Sequence, residues 1–218
     1  MQVIIIGGAA GSKIAQDIFL LQNMYIRGFM NNYVPKPLRK HLFAPVLGEY
    51  HEESNLDLLM EPDTSYFVGT GDNIIRKEIV DDLIELTGKR PINAIHPSAV
   101  ISQSAKIGWG NLIMPLVVIN PYARIANGTI LNTNCIIEHD NTIRNYAQIA
   151  PGVKLGGYVT VEKYATVGVG ASVMPHLNIG EGSLVAGGSS VIKNVEPYTM
   201  VAGVPAVKKK DLNKQIKR

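Results

Sequence analysis

From Ile95 onward every sixth residue is Ile, Leu or Val: Ile101, Ile107, Ile113, Ile119 and so on, without one insertion, to Val191. Four residues after most of these stands a small side chain, as at Ala99, Ala105, Ala123, Thr129, Cys135 and Ala147. A helix repeats its apolar positions about every 3.6 residues and a simple strand every 2, so a strict period of six fits neither. It asks for a polygonal coil, and a repeat of this kind specifies the fold before any motif does. If three hexads close one triangular turn, the aliphatic residues point inward and stack between turns about 4.8 Å apart, as in any sheet. Tight corners then call for positive φ angles, which Gly108, Gly110, Gly128, Gly152, Gly156, Gly157, Gly168, Gly170, Gly180, Gly182, Gly187 and Gly188 are expected to supply. The second part of the chain therefore reads as a parallel β-helix.

The first part is patterned differently. Residues 3–6 form a β-branched run, followed by Gly7-Gly8-Ala9-Ala10-Gly11 and then Ile14, Ile18 and Leu21 at helical spacing. A second strand is predicted at Tyr25–Met30, a third near Tyr66–Gly69, and a helix from Ile74 to Leu86 that ends at Thr87-Gly88. Residues 33–62, rich in Pro and charge, read as a long loop with a short strand or helix. The sum is a small α/β, Rossmann-like domain at 1–91, joined to the β-helix at 92–218.

Composition narrows the function classes. Among 218 residues, 46% are hydrophobic and 18% charged, with 21 Gly, which suits ordered domains rather than disorder. No apolar run approaches the ~18 residues a membrane span needs, and the first apolar run has no basic segment before it, so neither a membrane span nor a signal peptide is expected. The lone Cys135 excludes an intramolecular disulfide framework and fits a reducing, cytoplasmic compartment. The net charge is +3, yet Lys208, Lys209, Lys210, Lys214, Lys217 and Arg218 crowd the last eleven positions. Away from that basic tail no basic stripe with interleaved aromatics occurs, so nucleic acid is not an expected partner.

The glycine turn at 7–11 opens a helix, where free backbone N–H groups suit a phosphate or pyrophosphate. It does not match G-x-G-x-x-G, and Asn31-Asn32 stand where a dinucleotide fold carries an acidic residue, which disfavours NAD.

Several segments resemble the hexapeptide sugar acetyltransferases, a family that includes bacterial UDP-4-amino-sugar (bacillosamine-type) N-acetyltransferases and sialic acid O-acetyltransferases. They are Leu112-Ile113-Met114-Pro115, Val117-Val118-Ile119-Asn120, Ile130-Leu131-Asn132-Thr133, Ile137-Glu138-His139-Asp140 and Gly203-Val204-Pro205-Ala206, with Gly69-Thr70-Gly71-Asp72-Asn73 and Ile75-Arg76 in the first domain. The resemblance implies a left-handed coil and a homotrimer whose sites lie between neighbouring subunits. It further implies acetyl-CoA along the β-helix and a nucleotide-linked amino sugar held by the N-terminal domain, in the service of polysaccharide synthesis. By the same resemblance His139 is the base, Asp140 orients it and Asn132 helps place the reacting groups. Gly157 presents an N–H to the thioester oxygen, and Gln148, Gly156, Val169, Gly187 and Lys208 border the cofactor. Gly8, Ala9, Ala10, Gly11, Asn31, Asn32, Gly71, Asp72 and Asn73 are the corresponding substrate-binding candidates. The sequence departs from the family at Gln148, where a His is common, and at Ala10-Gly11 and Asn31-Asn32, where Gly-His and paired Asp are common.

The chemistry suits these residue types. Transfer of an acetyl group to an amine needs a proton acceptor, a task for imidazole oriented by a carboxylate, and a donor to the oxygen on which negative charge grows. Gly157 is 18 residues, one turn, beyond His139, so the two should stack. Both Glu138 and Asp140 flank the imidazole; Asp140 is the preferred partner and Glu138 stays open. His96 and His176 read as structural or rim residues. With His96, His139 and His176 separated by 43 and 37 residues, a zinc site of the β-helical carbonic anhydrase type is not expected, nor any other metal. A sugar O-acetyltransferase and a non-catalytic nucleotide-sugar scaffold remain the alternatives. The nucleotide, whether UDP, dTDP or GDP, stays open.

Overall fold

The computed structural model describes residues 2–8, 10–31 and 43–212, and the chain divides into two compact units, Met1–Pro97 and Ser98–Arg218. In the first unit, strand β1 (Gln2–Ile6) lies between β2 (Tyr25–Met30) and β4 (Thr64–Val68), with β3 (Val46–Gly48) outside β2. All three pairings are parallel. Val3 to Ile6 are fully buried, as expected of a central parallel strand covered on both faces. Helix α1 (Ala10–Leu21) buries Ala15, Ile18 and Phe19, and Phe19 meets Phe67 of β4 edge-to-face at 5.7 Å.

Helix α2 (Glu53–Met60) and β3 occupy the segment read as a long loop with a short strand or helix. Helix α3 (Asn73–Thr87) is capped at its start by Asp72, whose Oδ1 accepts from the N–H groups of Ile74 and Ile75. It ends at Gly88 in the left-handed region, φ 68°, with the Gly88 N–H on the Ile84 carbonyl. The first unit runs to Pro97. Within it, Ile92 N–H donates to Tyr66 O, and Gln22 Nε2 to Ile95 O.

In the second unit a two-residue strand recurs every six residues, from β6 (Val100–Ile101) to β21 (Ser190–Val191). The second residue of each strand is the aliphatic of the hexad, and from Ile113 to Val191 these side chains are at most 3% exposed. Each strand pairs in parallel with the one 18 residues on, for example Ile137 with Ile119 and Leu155, so three stacked sheets enclose the core. A terminal hairpin extends one sheet: β22 (Thr199–Ala202) joins it in parallel, and β23 (Val207–Asp211) pairs antiparallel with β22.

The corners obey a rule that the glycine pattern alone misses. Every sixth residue from Gly110 to Gly188 lies in the left-handed region, and many are not glycine: Leu116, Tyr122, Asn134, Asp140, Tyr146, Tyr158, Tyr164 and His176 have φ between 57° and 63°. Conversely Gly108, Gly156, Gly157, Gly168, Gly180 and Gly187 are absent from the positive-φ positions, contrary to expectation. Close approach explains several of them: a Cβ on Gly156 would lie 2.7 Å from Pro175 N, and one on Gly168 2.7 Å from Gly187 N. Adjacent coils press on these sites, so glycine is needed for space rather than for φ.

Candidate functional site

His139 and Asp140 sit at a corner between β12 (Ile136–Ile137) and β13 (Thr142–Ile143). The left-handed backbone at Asp140 turns its side chain back onto its neighbour, and Asp140 Oδ2 lies 2.9 Å from His139 Nδ1. Since the carboxylate accepts, the pairing puts the proton on Nδ1 and leaves the Nε2 lone pair free. The His139 side chain is 49% exposed, so the imidazole faces outward rather than into the core. Among the described residues Glu138 makes no hydrogen bond to the ring.

Gly157 lies one coil on, directly against that imidazole. A Cβ there would fall 2.7 Å from both Cε1 and Nε2 of His139. Its N–H has no hydrogen-bond partner among the described residues. The same place in other hexads is held by Pro115, Pro121, Pro151 and Pro175, which have no N–H at all. The inter-coil ladder therefore does not use this donor, and at Gly157 it remains available beside the imidazole.

Within one chain the other expected residues divide between the edges of the coil. Gly156 and Gly157 share the edge of His139. Val169 and Gly187 lie on a second edge, with Pro151-Gly152, Gly170 and Gly188. Gln148 is on β14 (Gln148–Ile149), which leads into that second edge. Asn132 follows β11 (Ile130–Leu131), and its Nδ2 donates to Ile149 O at 2.8 Å, a bond within the coil rather than toward His139. Lys208, on β23, pairs with Asp211 at 2.6 Å and lines a cavity of about 240 Å³ with Lys193, Glu196 and Val191.

In the first unit the expected residues gather at the carboxyl ends of the parallel strands. Gly8, Ala10 and Gly11 follow β1, Asn31 follows β2, and Gly71, Asp72 and Asn73 follow β4. Ala9 and Asn32 lie outside the described residues, as does the basic tail beyond Leu212. Between β1 and β4 the strand order reverses direction, the place where open parallel sheets bind ligands. The two loops touch: a Cβ on Gly11 would sit 2.4 Å from Gly69 O, and one on Gly69 2.5 Å from Ser12 Oγ. Asp72 is occupied as the helix cap, and Asn73 Oδ1 accepts from Arg76 Nη2 at 2.8 Å. Arg76, 1% exposed, also donates to the carbonyls of Thr70, Gly71 and Asp72 and so moulds the loop. In the sequence Arg76 stands out only beside Ile75 in a short motif, and its burial is not legible there.

No protein-family model matches the chain. A GDP-perosamine N-acetyltransferase of Escherichia coli O157:H7 is 34% identical over 95 residues, 43% of this chain, and the matched segment spans 42% of that relative's length. Over nearly the whole chain the fold matches PerB from Caulobacter crescentus, solved with CoA and GDP-perosamine: 30% identity, TM-score 0.86, 96% of this chain and 98% of that one. The chain belongs to the hexapeptide-repeat sugar N-acetyltransferases. Another member of similar shape is the acetyltransferase domain of PglB from Neisseria gonorrhoeae FA1090, solved with acetyl coenzyme A, at 25% identity and TM-score 0.86 over 95% of this chain and 98% of that one. The hexapeptide-repeat acetyltransferase described here shares with them its repeated parallel sheets. Among its described residues no helix is long and apolar enough to cross a membrane.

Proposed function

We propose that this chain transfers an acetyl group from acetyl-CoA to the amine of a nucleotide-linked amino sugar. The observation that carries the reading is the single corner where His139 Nδ1 is held by Asp140 at 2.9 Å and Gly157, with its unused N–H, lies against the same ring. His139 Nε2 takes a proton from the acceptor amine as its nitrogen forms a bond to the thioester carbonyl carbon. The Gly157 N–H stabilises the charge that grows on the carbonyl oxygen, a donor typically worth about 3 kcal/mol. The carbon–sulfur bond then breaks, and the CoA thiolate recovers the proton from the imidazolium.

The acceptor nucleotide is assigned to the first unit, a Rossmann-like domain, where the loops after β1 and β4 meet at the switch point. A left-handed coil and a homotrimer complete the reading. Two observations favour assembly. Gln148, Val169 and Gly187 lie away from the edge of His139, so one copy alone leaves the cofactor residues divided. The outward residues Val100, Val118 and Ile136, in register on one sheet, form an apolar strip, with Val100 63% exposed. A second copy would cover it. Consumption of acetyl-CoA and a nucleotide sugar, together with the reduced lone Cys135, suits the cytoplasm. No metal is required in this scheme.

The test is thiol release from acetyl-CoA with GDP-, UDP- and dTDP-linked 4-amino sugars, among them GDP-perosamine, the sugar bound by PerB. Turnover with one of them, and N-acetyl product by mass spectrometry, is expected. Tight nucleotide binding without any thiol release would instead favour the non-catalytic scaffold, and product acetylated on oxygen the O-acetyltransferase.

A further inference from the structure

His139 shares its edge of the coil with two other aromatic side chains. Tyr158, the corner residue after Gly157, meets the imidazole edge-to-face, with ring centroids 5.2 Å apart and planes at 89°. Tyr158 in turn stacks flat on His176, the corner residue of the following coil, at 4.8 Å and 7°.

The corner backbone disfavours any side chain, because a left-handed φ brings Cβ close to the following carbonyl. On the edge that carries Val169 and Gly187 the corner is glycine on three successive coils, at Gly152, Gly170 and Gly188. The edge of His139 keeps a side chain at each equivalent corner: Tyr122, Asp140, Tyr158 and His176. Since the same coil accepts glycine elsewhere, the strain at Tyr158 and His176 is not demanded by the fold. An outlier of this sort points to what the side chain touches.

What Tyr158 touches is a ring that is only partly constrained. One hydrogen bond at Nδ1 fixes a single atom of the imidazole, and the terminal torsion of histidine is soft, so the ring can swing about that contact. Gly157 limits approach from beneath but exerts no side-chain grip. An aromatic edge-to-face contact supplies the missing constraint on the ring plane.

We infer that Tyr158, braced by His176, is a positioning residue that sets the plane of the His139 imidazole for proton transfer. The inference rests on His139 acting as the base of the reaction proposed above. It concerns a residue that acts through another, since nothing in the scheme requires Tyr158 to touch the substrate.

The experiment compares Tyr158→Gly, Tyr158→Phe and His176→Ala in thiol-release kinetics and thermal melts, and records the imidazole resonances of His139 in protein with 15N-labelled histidine. Tyr158→Gly relieves the corner strain, so its melting temperature is expected to equal or exceed that of the wild type. Its kcat should nevertheless fall about tenfold, with both KM values within twofold, because misplacement of a bound catalytic group lowers turnover without weakening binding. Tyr158→Phe should keep wild-type kcat, and His176→Ala should lie between. In the spectra the His139 ring signals should shift and broaden in Tyr158→Gly but not in Tyr158→Phe. A folded Tyr158→Gly protein with wild-type kcat overturns the inference. If the wild type transfers no acetyl group, the proposed reaction fails by itself. The spectra then decide the positioning role, and unchanged His139 signals in Tyr158→Gly reject it.

Discussion

Replacing Gly157 by alanine places one methyl group between the two halves of the proposed machinery. The added Cβ would lie 2.7 Å from Cε1 and Nε2 of His139, and the three nearest atoms to it all belong to that ring. Carbon atoms are in optimal contact at about 3.5–4.0 Å, so the imidazole must retreat by roughly 1 Å or rotate off its rotamer. Retreat stretches the 2.9 Å bond to Asp140, and rotation by ~30° costs about 0.5–1.5 kcal/mol. Gly157 is not at a positive φ, so alanine meets no backbone strain there and gains roughly 0.4–1 kcal/mol from a less flexible unfolded chain. The expected outcome is a protein of unchanged or slightly higher melting temperature whose kcat drops about 10–100-fold, the range that a ~1 Å misplacement produces. Stopped thiol-release assays at saturating substrates measure it, with thermal melts on the same samples. A Gly157→Ala protein that turns over within threefold of wild type would refute the reasoning, because the close contact would then have no bearing on the chemistry.

Other outcomes follow from the same geometry. His139→Ala should keep the fold, since the side chain is half exposed, and lose most turnover; comparable kcat in wild type and variant would remove His139 from the mechanism. Asp140→Asn should lower kcat by less than His139→Ala, as asparagine tolerates the left-handed corner and only the orienting charge is lost; a silent Asp140→Asn beside a crippled Glu138→Gln would reverse the assignment. Arg76→Ala leaves three carbonyls and the Asn73 amide oxygen without their shared donor, which should cost about 3 kcal/mol in the first unit and raise KM for the sugar nucleotide; an unchanged melt and KM would contradict its moulding role. Burial pushes the Cys135 thiol up to about 12. Its contribution to stability is complete below the ordinary thiol range and is lost as pH rises from there through about 12, so native protein should not react with a thiol reagent at pH 8. Rapid labelling at that pH would show the site to be open.

Much of this molecule is one-dimensional, and that part was written in the sequence. A hexad whose second strand residue always faces inward needs no distant contact to be recognised, so the coil, its 18-residue register and the stacking of Gly157 on His139 follow from counting. Tyr25–Met30 and the Gly88 helix end were legible for the same reason, as local patterns of apolar residues and a left-handed cap. Distances between coils and between strand ends have no such signature. They decided that Asp140 rather than Glu138 holds the imidazole, because the corner φ turns one of two adjacent carboxylates back toward the ring. They showed that some glycines serve φ and others, like Gly156 and Gly157, serve space. They also brought the loops after β1 and β4 together at Gly11 and Gly69, buried Arg76 against the second of these loops and set Tyr158 against the His139 ring. The repeat determines which residue comes round again, whereas only the packed coils decide which atoms touch.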